Sequence, residues 1–206
     1  MLVVVYDVDD VLNELNNYVA DTVGIPHSAI NRYKISEIDG ITDEQKGAII
    51  ELYKQVDTFK NCNWKPSMTD ICRVQVSGEA EVHIHSTSMN QDIADFKRAY
   101  LLKSIPGLTE DNLSLVTTGE VKNPHSKADI IVEDCIDNLL KYDSTVIKIL
   151  IDTPHNQFED YGIDARSSDI IRVKNLDDAI RLVECIVNMY KLGKNMQKAV
   201  DIAQSK

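Results

Sequence analysis

The chain is poor in cysteine and in positive charge. Its 4 cysteines are scattered over 206 residues without CxxC spacing, at Cys62, Cys72, Cys135 and Cys185. We therefore expect free thiols rather than a zinc site or a disulfide framework. Lys and Arg number 22 against 33 Asp and Glu, which gives a net charge of -11. Binding to a nucleic-acid backbone needs clustered Lys and Arg, so a nucleic-acid polymer is excluded as a partner.

Long apolar runs and internal repeats are also missing from the sequence. No segment reaches the roughly 20 apolar residues of a membrane span, and no basic leader or cleavage site accompanies the apolar start. We therefore expect a cytoplasmic protein without a membrane partner. The length of 206 residues suits one α/β domain with a modest insertion. The final amphipathic helix leaves a homodimer open as the oligomeric state.

An apolar segment that ends in acids is the most informative feature present. The chain begins MLVVVYDVDDVLNEL, so a β-branched run from Leu2 to Val5 leads directly to Asp7, Asp9 and Asp10. In an open α/β sheet, ligands bind beyond the carboxyl ends of the strands. Two carboxylates as close as Asp7 and Asp9 repel each other unless a cation lies between them or one binds a proton. The segment therefore predicts a cation and phosphate site.

Alternating strand and helix patterns predict an α/β fold with a parallel central sheet flanked by helices, as in Rossmann-like proteins. Residues 16–65 differ in character and predict a small helical cap inserted after the first strand. We therefore expect a core formed by residues 1–15 and 66–206. The expected strands are Leu2 to Val5, Ala80 to His85, Leu113 to Thr117, Ala128 to Val132, Val146 to Ile151 and Ile170 to Val173, and the expected helices include Val11 to Val23, Gln91 to Lys103, Cys135 to Lys141 and Leu176 to Ala203.

Polar groups follow three of these strands and are expected to meet in one crevice. They are Asp7 and Asp9 after the first strand, Ser86 and Thr87 after the second, and Glu133 and Asp134 after the fourth. Carboxylates at two strand ends suit a hard cation such as Mg²⁺, which prefers oxygen ligands. A hydroxyl and a lysine would complete a phosphate site, and the candidate lysines are Lys97, Lys103 and Lys127. His83 and His85 alternate on a strand and favour a packing role over metal binding, since no third ligand is evident.

These motifs resemble those of the haloacid dehalogenase superfamily of phosphohydrolases. The first motif corresponds to Asp7-Val8-Asp9-Asp10-Val11, the second to Ser86, the third to Lys97 and the fourth to the apolar run that ends in Glu133-Asp134. The position of the cap after the first strand is similar to that in the 5'(3')-deoxyribonucleotidase family. The resemblance covers most of the chain and implies a Mg²⁺-dependent phosphomonoesterase acting on nucleoside or deoxynucleoside monophosphates.

The resemblance also implies a role for each motif residue. Asp7 is the nucleophile, which forms an aspartyl-phosphate, and Asp9 is the general acid and base. The metal is held by the Asp7 side chain, the Asp9 backbone carbonyl and Asp134, with Glu133 in support through water. The phosphate oxygens are bound by Ser86 and Lys97.

Three positions depart from the family pattern. Asp10 replaces the usual glycine beside the substrate entrance, which puts the preference for the leaving group in doubt. Ser86 stands where threonine is commoner, and Thr87 takes its role if the strand ends one residue later. Glu133 replaces the usual first aspartate of the fourth motif and keeps an acid there.

Aromatic side chains near the cap suggest a pocket for a nucleobase. Phe59 and Trp64 lie where the cap returns to the core, and Tyr33 and Tyr53 lie within the cap. Phe59 is the preferred substrate contact, whereas Tyr53 also fits the apolar core of the cap at helical spacing with Ile49.

Two other classes of function remain open from the sequence. The same chemistry would serve another small phosphate ester, such as a sugar phosphate. Alternatively, the chain is a non-catalytic or regulatory phosphate-binding relative, including a receiver domain in which a strand-end aspartate accepts phosphate. The cap argues against a receiver domain, and Asp9 argues against a non-catalytic role, because binding alone needs no acid or base.

Overall fold

A single parallel sheet forms the centre of the computed structural model, which describes residues 1–117, 123–157, 161–163 and 169–193. Within these residues the strand order is β3-β2-β1-β4-β5-β6, and every pairing is parallel. The strands are β1 (Leu2–Tyr6), β2 (Ala80–Ser88), β3 (Leu113–Thr117), β4 (Ile130–Glu133), β5 (Ile147–Ile151) and β6 (Ile170–Val173). This confirms the predicted α/β fold with a parallel central sheet.

Seven α-helices connect or extend these strands within the described residues. They are α1 (Leu15–Val23), α2 (Asp43–Leu52), α3 (Val56–Asn61), α4 (Arg73–Val76), α5 (Gln91–Ser104), α6 (Ile136–Leu139) and α7 (Leu176–Lys191). The predicted helix from Leu176 ends at Lys191, and residues 194–206 lie outside the described residues. No helix in the described ranges has the length and apolar character needed to cross a membrane.

Apolar packing on both faces of β1 explains its uninterrupted hydrophobic sequence. Leu2, Val4 and Tyr6 belong to a cluster that includes residues of α5 and α7. Val3 and Val5 alternate with them and pack in a second cluster with residues of α6. A strand buried on both faces shows no polar alternation, as is typical of parallel sheets with helices on each side.

The segment between β1 and β2 has an apolar cluster of its own. Leu15, Val19, Ile49 and Phe59 are among the buried residues of this cluster, which α5 joins through Ile93. Helix α2 begins with a capping box in which Thr42 and Gln45 bond reciprocally. The division of the chain at residues 16 and 65 stays a prediction.

Two element boundaries differ from the sequence prediction in ways that affect the site. Helix α1 begins at Leu15 rather than Val11. Before it, Asp10 has a left-handed φ of 58°, and Asn13 pairs with Trp64 in an isolated β-bridge. Strand β2 continues to Ser88 instead of ending at His85. The polar residues Ser86 and Thr87 are therefore part of the strand.

Candidate active site

Three buried carboxylates meet at the carboxyl ends of the two central strands. Asp7 follows β1, Glu133 ends β4, and Asp134 follows it; one oxygen from each lies within 4.8 Å of the others. The sheet topology brings them together, because Tyr6 pairs with Val132 and the Asp7 amide then donates to the Val132 carbonyl at 3.0 Å. The strand order reverses between β1 and β4, which is where ligands bind in open α/β sheets.

The carboxylate of Glu133 is held by groups of its own loop. Its Oε2 accepts from the Asp134 amide at 3.1 Å and from the Cys135 amide at 3.4 Å. Its Oε1 accepts from Asn138 Nδ2 at 2.8 Å. These donors fix the orientation of the Glu133 carboxylate beside Asp134.

The electrostatics of Asp134 favour a bound cation. Burial, followed by the charge of Glu133, raises the pKa of Asp134 well above its usual range. Oδ2 of Asp134 accepts from His155 Nε2 at 3.0 Å, whereas Oδ1 has no hydrogen-bond partner among the described residues. A buried carboxylate oxygen without a donor is costly unless a cation is bound. The donor set of Asp7, Glu133 and Asp134 consists of oxygens alone, which fits Mg²⁺.

Asp9 is not a member of this cluster and is paired with a lysine. Its Oδ2 accepts from Lys97 Nζ at 2.6 Å, and its Oδ1 accepts from Asn13 Nδ2 at 3.3 Å. Lys97 is fully buried, whereas about a quarter of the Asp9 side chain is exposed. The ammonium also lies 4.9 Å from the centre of the Phe59 ring. Asp7 and Asp9 are thus in different surroundings, as two carboxylates with different chemical roles require.

Helix α5 explains why Lys97 rather than another lysine reaches the site. Asn90 caps this helix by accepting from the Ile93 amide at 3.0 Å, which fixes where the helix begins. Lys97 then follows Ile93 and precedes Leu101 at four-residue spacing on the buried face. The other two candidates, Lys103 and Lys127, are exposed.

The structure also distinguishes the two candidate hydroxyls after β2. Ser86 Oγ is buried and lies 3.4 Å from Lys97 Nζ. Thr87 presents its carbonyl to Lys97 at 3.1 Å, but its side chain is exposed. Because β2 continues through both residues, their side chains point to opposite faces. The Ser86 hydroxyl is therefore the one beside Lys97, whose ammonium also contacts Asp9.

Asp10 shapes the turn between β1 and α1. Its φ of 58° lies in the left-handed region, where glycine, asparagine and aspartate are tolerated best. Its carboxylate accepts from the Asn16 amide at 3.0 Å, which caps the start of α1. Burial is the main reason why the pKa of Asp10 is raised to about 7. Lys65 supports the same turn by donating to the Asp10 and Val11 carbonyls at 2.6 and 3.0 Å.

A cavity of about 370 Å³ opens between the site and the segment that follows β1. The polar end of this cavity contains Asp9, Asp10 and Thr87. The rest of its lining combines apolar or aromatic side chains with polar ones: Leu15, Tyr33, Ile50, Tyr53, Phe59 and Met89, and Asn16, Lys34, Ser36 and Ser88. Tyr53 also packs against the apolar cluster of this segment, so both of its predicted environments are present.

Trp64 is not among the residues that line this cavity, and its role in a substrate pocket stays a prediction. Its ring packs against Tyr100 with ring centres 4.4 Å apart, and its Nε1 donates to the Phe59 carbonyl at 2.9 Å. The indole therefore fixes the backbone that carries Phe59. Proximity along the sequence placed both aromatics at the cap boundary, but only one ring faces the cavity.

Other sequence predictions concern cysteine and histidine. All four cysteines are free, as expected. His83 Nε2 lies 2.8 Å from Glu81 Oε1, and its ring lies 4.8 Å from that of His125. In the part of the chain that the structure describes, the group able to hold a metal is the Asp7, Glu133 and Asp134 cluster, which contains no histidine.

His155, Asn156 and Lys65 contact the site and were missed by sequence reasoning. His155 and Asn156 follow β5, a fourth strand whose carboxyl end lies at the same edge of the sheet. The polar run after Ile151 was the signal that would have found them. Lys65 gave no comparable signal, because its partners are backbone carbonyls.

A parallel sheet with acids at its topological switch point defines the class of protein as an α/β protein with a candidate metal and phosphate site. No sequence-family profile matches the chain, and no curated protein matches it in sequence. In structure it is similar to a hydrolase from Pseudomonas syringae, with a TM-score of 0.51, 17% identity and coverage of 89% of this chain and 99% of the other. It is also similar to a haloacid dehalogenase-like family hydrolase from Streptococcus pneumoniae, with a TM-score of 0.50 and 15% identity. That similarity covers 87% of this chain and 97% of the other. The chain thus has the fold of haloacid dehalogenase-like hydrolases.

Proposed function

We propose that this protein is a Mg²⁺-dependent phosphomonoesterase that hydrolyses nucleoside or deoxynucleoside monophosphates through an aspartyl-phosphate. The main support is that two aspartates at one sheet edge have different partners. Asp7 belongs to a cluster of buried carboxylates, while Asp9 is paired with Lys97 at 2.6 Å beside Ser86. A nucleophile, a separate acid and base, and donors for phosphate oxygens are the groups that phosphoryl transfer requires.

The metal would be held by the side chains of Asp7 and Asp134 and by the Asp9 backbone carbonyl, with Glu133 in support. The unpartnered Asp134 oxygen supports this assignment. When bound, Mg²⁺ reduces the repulsion between the substrate phosphate and the acids and stabilises charge on the phosphoryl oxygens.

The side chains of this site account for both halves of the reaction. An Asp7 carboxylate oxygen attacks phosphorus, the bond from phosphorus to the ester oxygen breaks, and Asp9 donates a proton to the leaving alcohol. Water then attacks the aspartyl-phosphate while Asp9 accepts its proton, and the bond between phosphorus and Asp7 oxygen breaks to release phosphate. Lys97 and Ser86 donate hydrogen bonds to the phosphoryl oxygens throughout.

The cavity next to Asp9 supports a substrate with a flat apolar group. Its volume of about 370 Å³ falls within the range of roughly 300–1,000 Å³ typical of small-molecule sites. Phe59, Tyr33 and Tyr53 contribute to its wall. Aromatic rings stack on nucleobases, so these side chains favour a nucleotide as the substrate. Resemblance to the 5'(3')-deoxyribonucleotidase family in motif and cap position adds to this choice.

Phosphate release from a panel of substrates tests the proposal. The panel contains ribo- and deoxynucleoside monophosphates, sugar phosphates and an aryl phosphate, each with Mg²⁺ and with a chelator. We expect Mg²⁺-dependent release concentrated on the nucleotides and abolished by Asp7→Asn. Release from sugar phosphates alone would retain the chemistry and overturn the nucleotide assignment. No release from any ester would favour a non-catalytic phosphate-binding protein.

A further inference from the structure

The loop that follows β5 makes two direct contacts with Asp134. His155 Nε2 lies 3.0 Å from Asp134 Oδ2. A carboxylate that binds a cation is ionised and can only accept, so in the metal-bound state Nε2 is the donor. Asn156 Nδ2 donates to the Asp134 carbonyl and to the Ile151 carbonyl, each at 2.8 Å. Both side chains are buried, with exposures of 3% for His155 and 0% for Asn156. This loop therefore holds both the side chain and the backbone of Asp134.

Strand β6 anchors the loop in turn. Arg172 Nη1 donates to Asn156 Oδ1 at 2.8 Å and to Asp152 Oδ1 at 2.6 Å. The Asn156 side chain also accepts from the Thr153 amide at 3.1 Å. The loop that contacts Asp134 is therefore itself held in place by β6.

The His155 ring is restrained on another side by the segment that follows β1. Tyr33 packs edge-on against it, with ring centres 5.6 Å apart, and Tyr33 also lines the 370 Å³ cavity. A side chain held by Asp134, by its own loop and by Tyr33 has little rotational freedom. Such restraint is what a group needs in order to orient a metal ligand.

We infer that His155 is a positioning residue that fixes the rotamer of Asp134 for the cation, an inference that rests on the proposed function. Its hydrogen bond occupies Oδ2 and leaves Oδ1, which has no partner among the described residues, as the oxygen for the metal. Without this bond Asp134 can rotate about its side-chain torsions, and a correctly oriented ligand is present for a smaller part of the time. Loss of a group that orients a metal ligand typically weakens metal affinity about 10- to 100-fold.

Direct binding of Mn²⁺ to the full-length chain tests this inference, with free Mn²⁺ measured by electron paramagnetic resonance. His155→Phe keeps the ring volume but removes the donor, and His155→Ala removes the donor without risk of overpacking. His155→Gln keeps an N–H donor. Thr153→Val is the matched control, because it changes the same loop at a hydroxyl that has no partner among the described residues.

We expect Mn²⁺ to bind about 10- to 100-fold more weakly to His155→Phe and His155→Ala. His155→Gln should recover most of the affinity, and Thr153→Val should match the unaltered protein. In phosphate release, the donorless variants should need correspondingly more Mg²⁺, yet reach a similar rate at saturating Mg²⁺. Thermal unfolding of each variant, measured in chelator, identifies any that fails to fold.

The outcomes separate this inference from the proposed function. Folded donorless variants that bind Mn²⁺ as tightly as the unaltered protein would overturn the positioning role alone. Equal weakening by His155→Gln and His155→Phe would also overturn it, because the donor would then be irrelevant. If the unaltered protein binds no Mn²⁺, the metal-dependent function fails and this inference fails with it.

Discussion

Replacing Asp10 by asparagine should stabilise the folded protein, and the gain should grow with pH. In the folded state burial raises the pKa of Asp10 to about 7, from its ordinary value of 3.8. An acid with a raised folded pKa carries no penalty below its unfolded pKa. The penalty grows as the pH rises and is complete above the folded pKa. Asparagine cannot ionise, tolerates the φ of 58° and still accepts from the Asn16 amide.

The size of the gain follows from the pKa displacement and from burial. One pKa unit corresponds to about 1.4 kcal/mol, so a shift from 3.8 to about 7 corresponds to about 4 kcal/mol in the limit of complete burial. The side chain of Asp10 is half-buried, and nearby water reduces the effect. We therefore expect Asp10→Asn to raise the free energy of unfolding by about 2 kcal/mol at pH 8 and about 1 kcal/mol at pH 5.

Urea unfolding at the two pH values, with a chelator present, measures this difference. The chelator is needed because a bound cation would lower the cost of ionising Asp10. Asp39→Asn is the control, since the Asp39 side chain is 90% exposed and its replacement should change stability by less than about 0.5 kcal/mol. A gain of equal size at pH 5 and pH 8, or a loss at both, would refute the electrostatic reasoning.

Substitutions of other site residues should lower turnover by different amounts. Lys97→Met should lower kcat/KM about 100-fold or more, because it removes a charged donor beside Asp9, and retention of activity in steady-state assays would contradict this. Ser86→Ala should lower kcat/KM about tenfold, whereas Thr87→Val should change it less than about twofold; the reverse order would reassign the hydroxyl. Phe59→Leu keeps an apolar side chain but removes the aromatic ring, so it should raise KM for nucleotides about tenfold and change KM for an aryl phosphate less. An equal rise in KM for both substrates would show that Phe59 does not stack on a nucleobase.

Much of the fold was predictable because the local sequence patterns are consistent with the tertiary structure. The β-branched run of β1, with acids directly after it, predicts a buried strand and a ligand site at its end. Glu133 and Asp134 repeat that pattern in β4, and parallel topology alone then brings the two strand ends together. The sequence left Lys97, Lys103 and Lys127 as candidates, and the position of Lys97 on the buried face of α5 distinguishes it.

Other features depended on tertiary contacts that no local pattern encodes. Whether Ser86 or Thr87 faces Lys97 depends on where β2 ends, and pairing with β3 carries the strand to Ser88. Trp64 packs against Tyr100, on α5, and is not among the residues that line the cavity. His155 reaches Asp134 across 21 residues of chain, and the spatial order of β4 and β5 decides that contact.

The proposed aspartyl-phosphate on Asp7 can be trapped and identified directly. The protein would be mixed with Mg²⁺ and a deoxynucleoside monophosphate, quenched in acid within a turnover, digested and examined by peptide mass spectrometry. If Asp7 is the nucleophile, phosphate will be found on the peptide that contains Asp7 and none in Asp7→Asn, which should fold normally but release no phosphate. Undiminished phosphate release by Asp7→Asn, or phosphate trapped on another residue, would show that Asp7 is not the nucleophile.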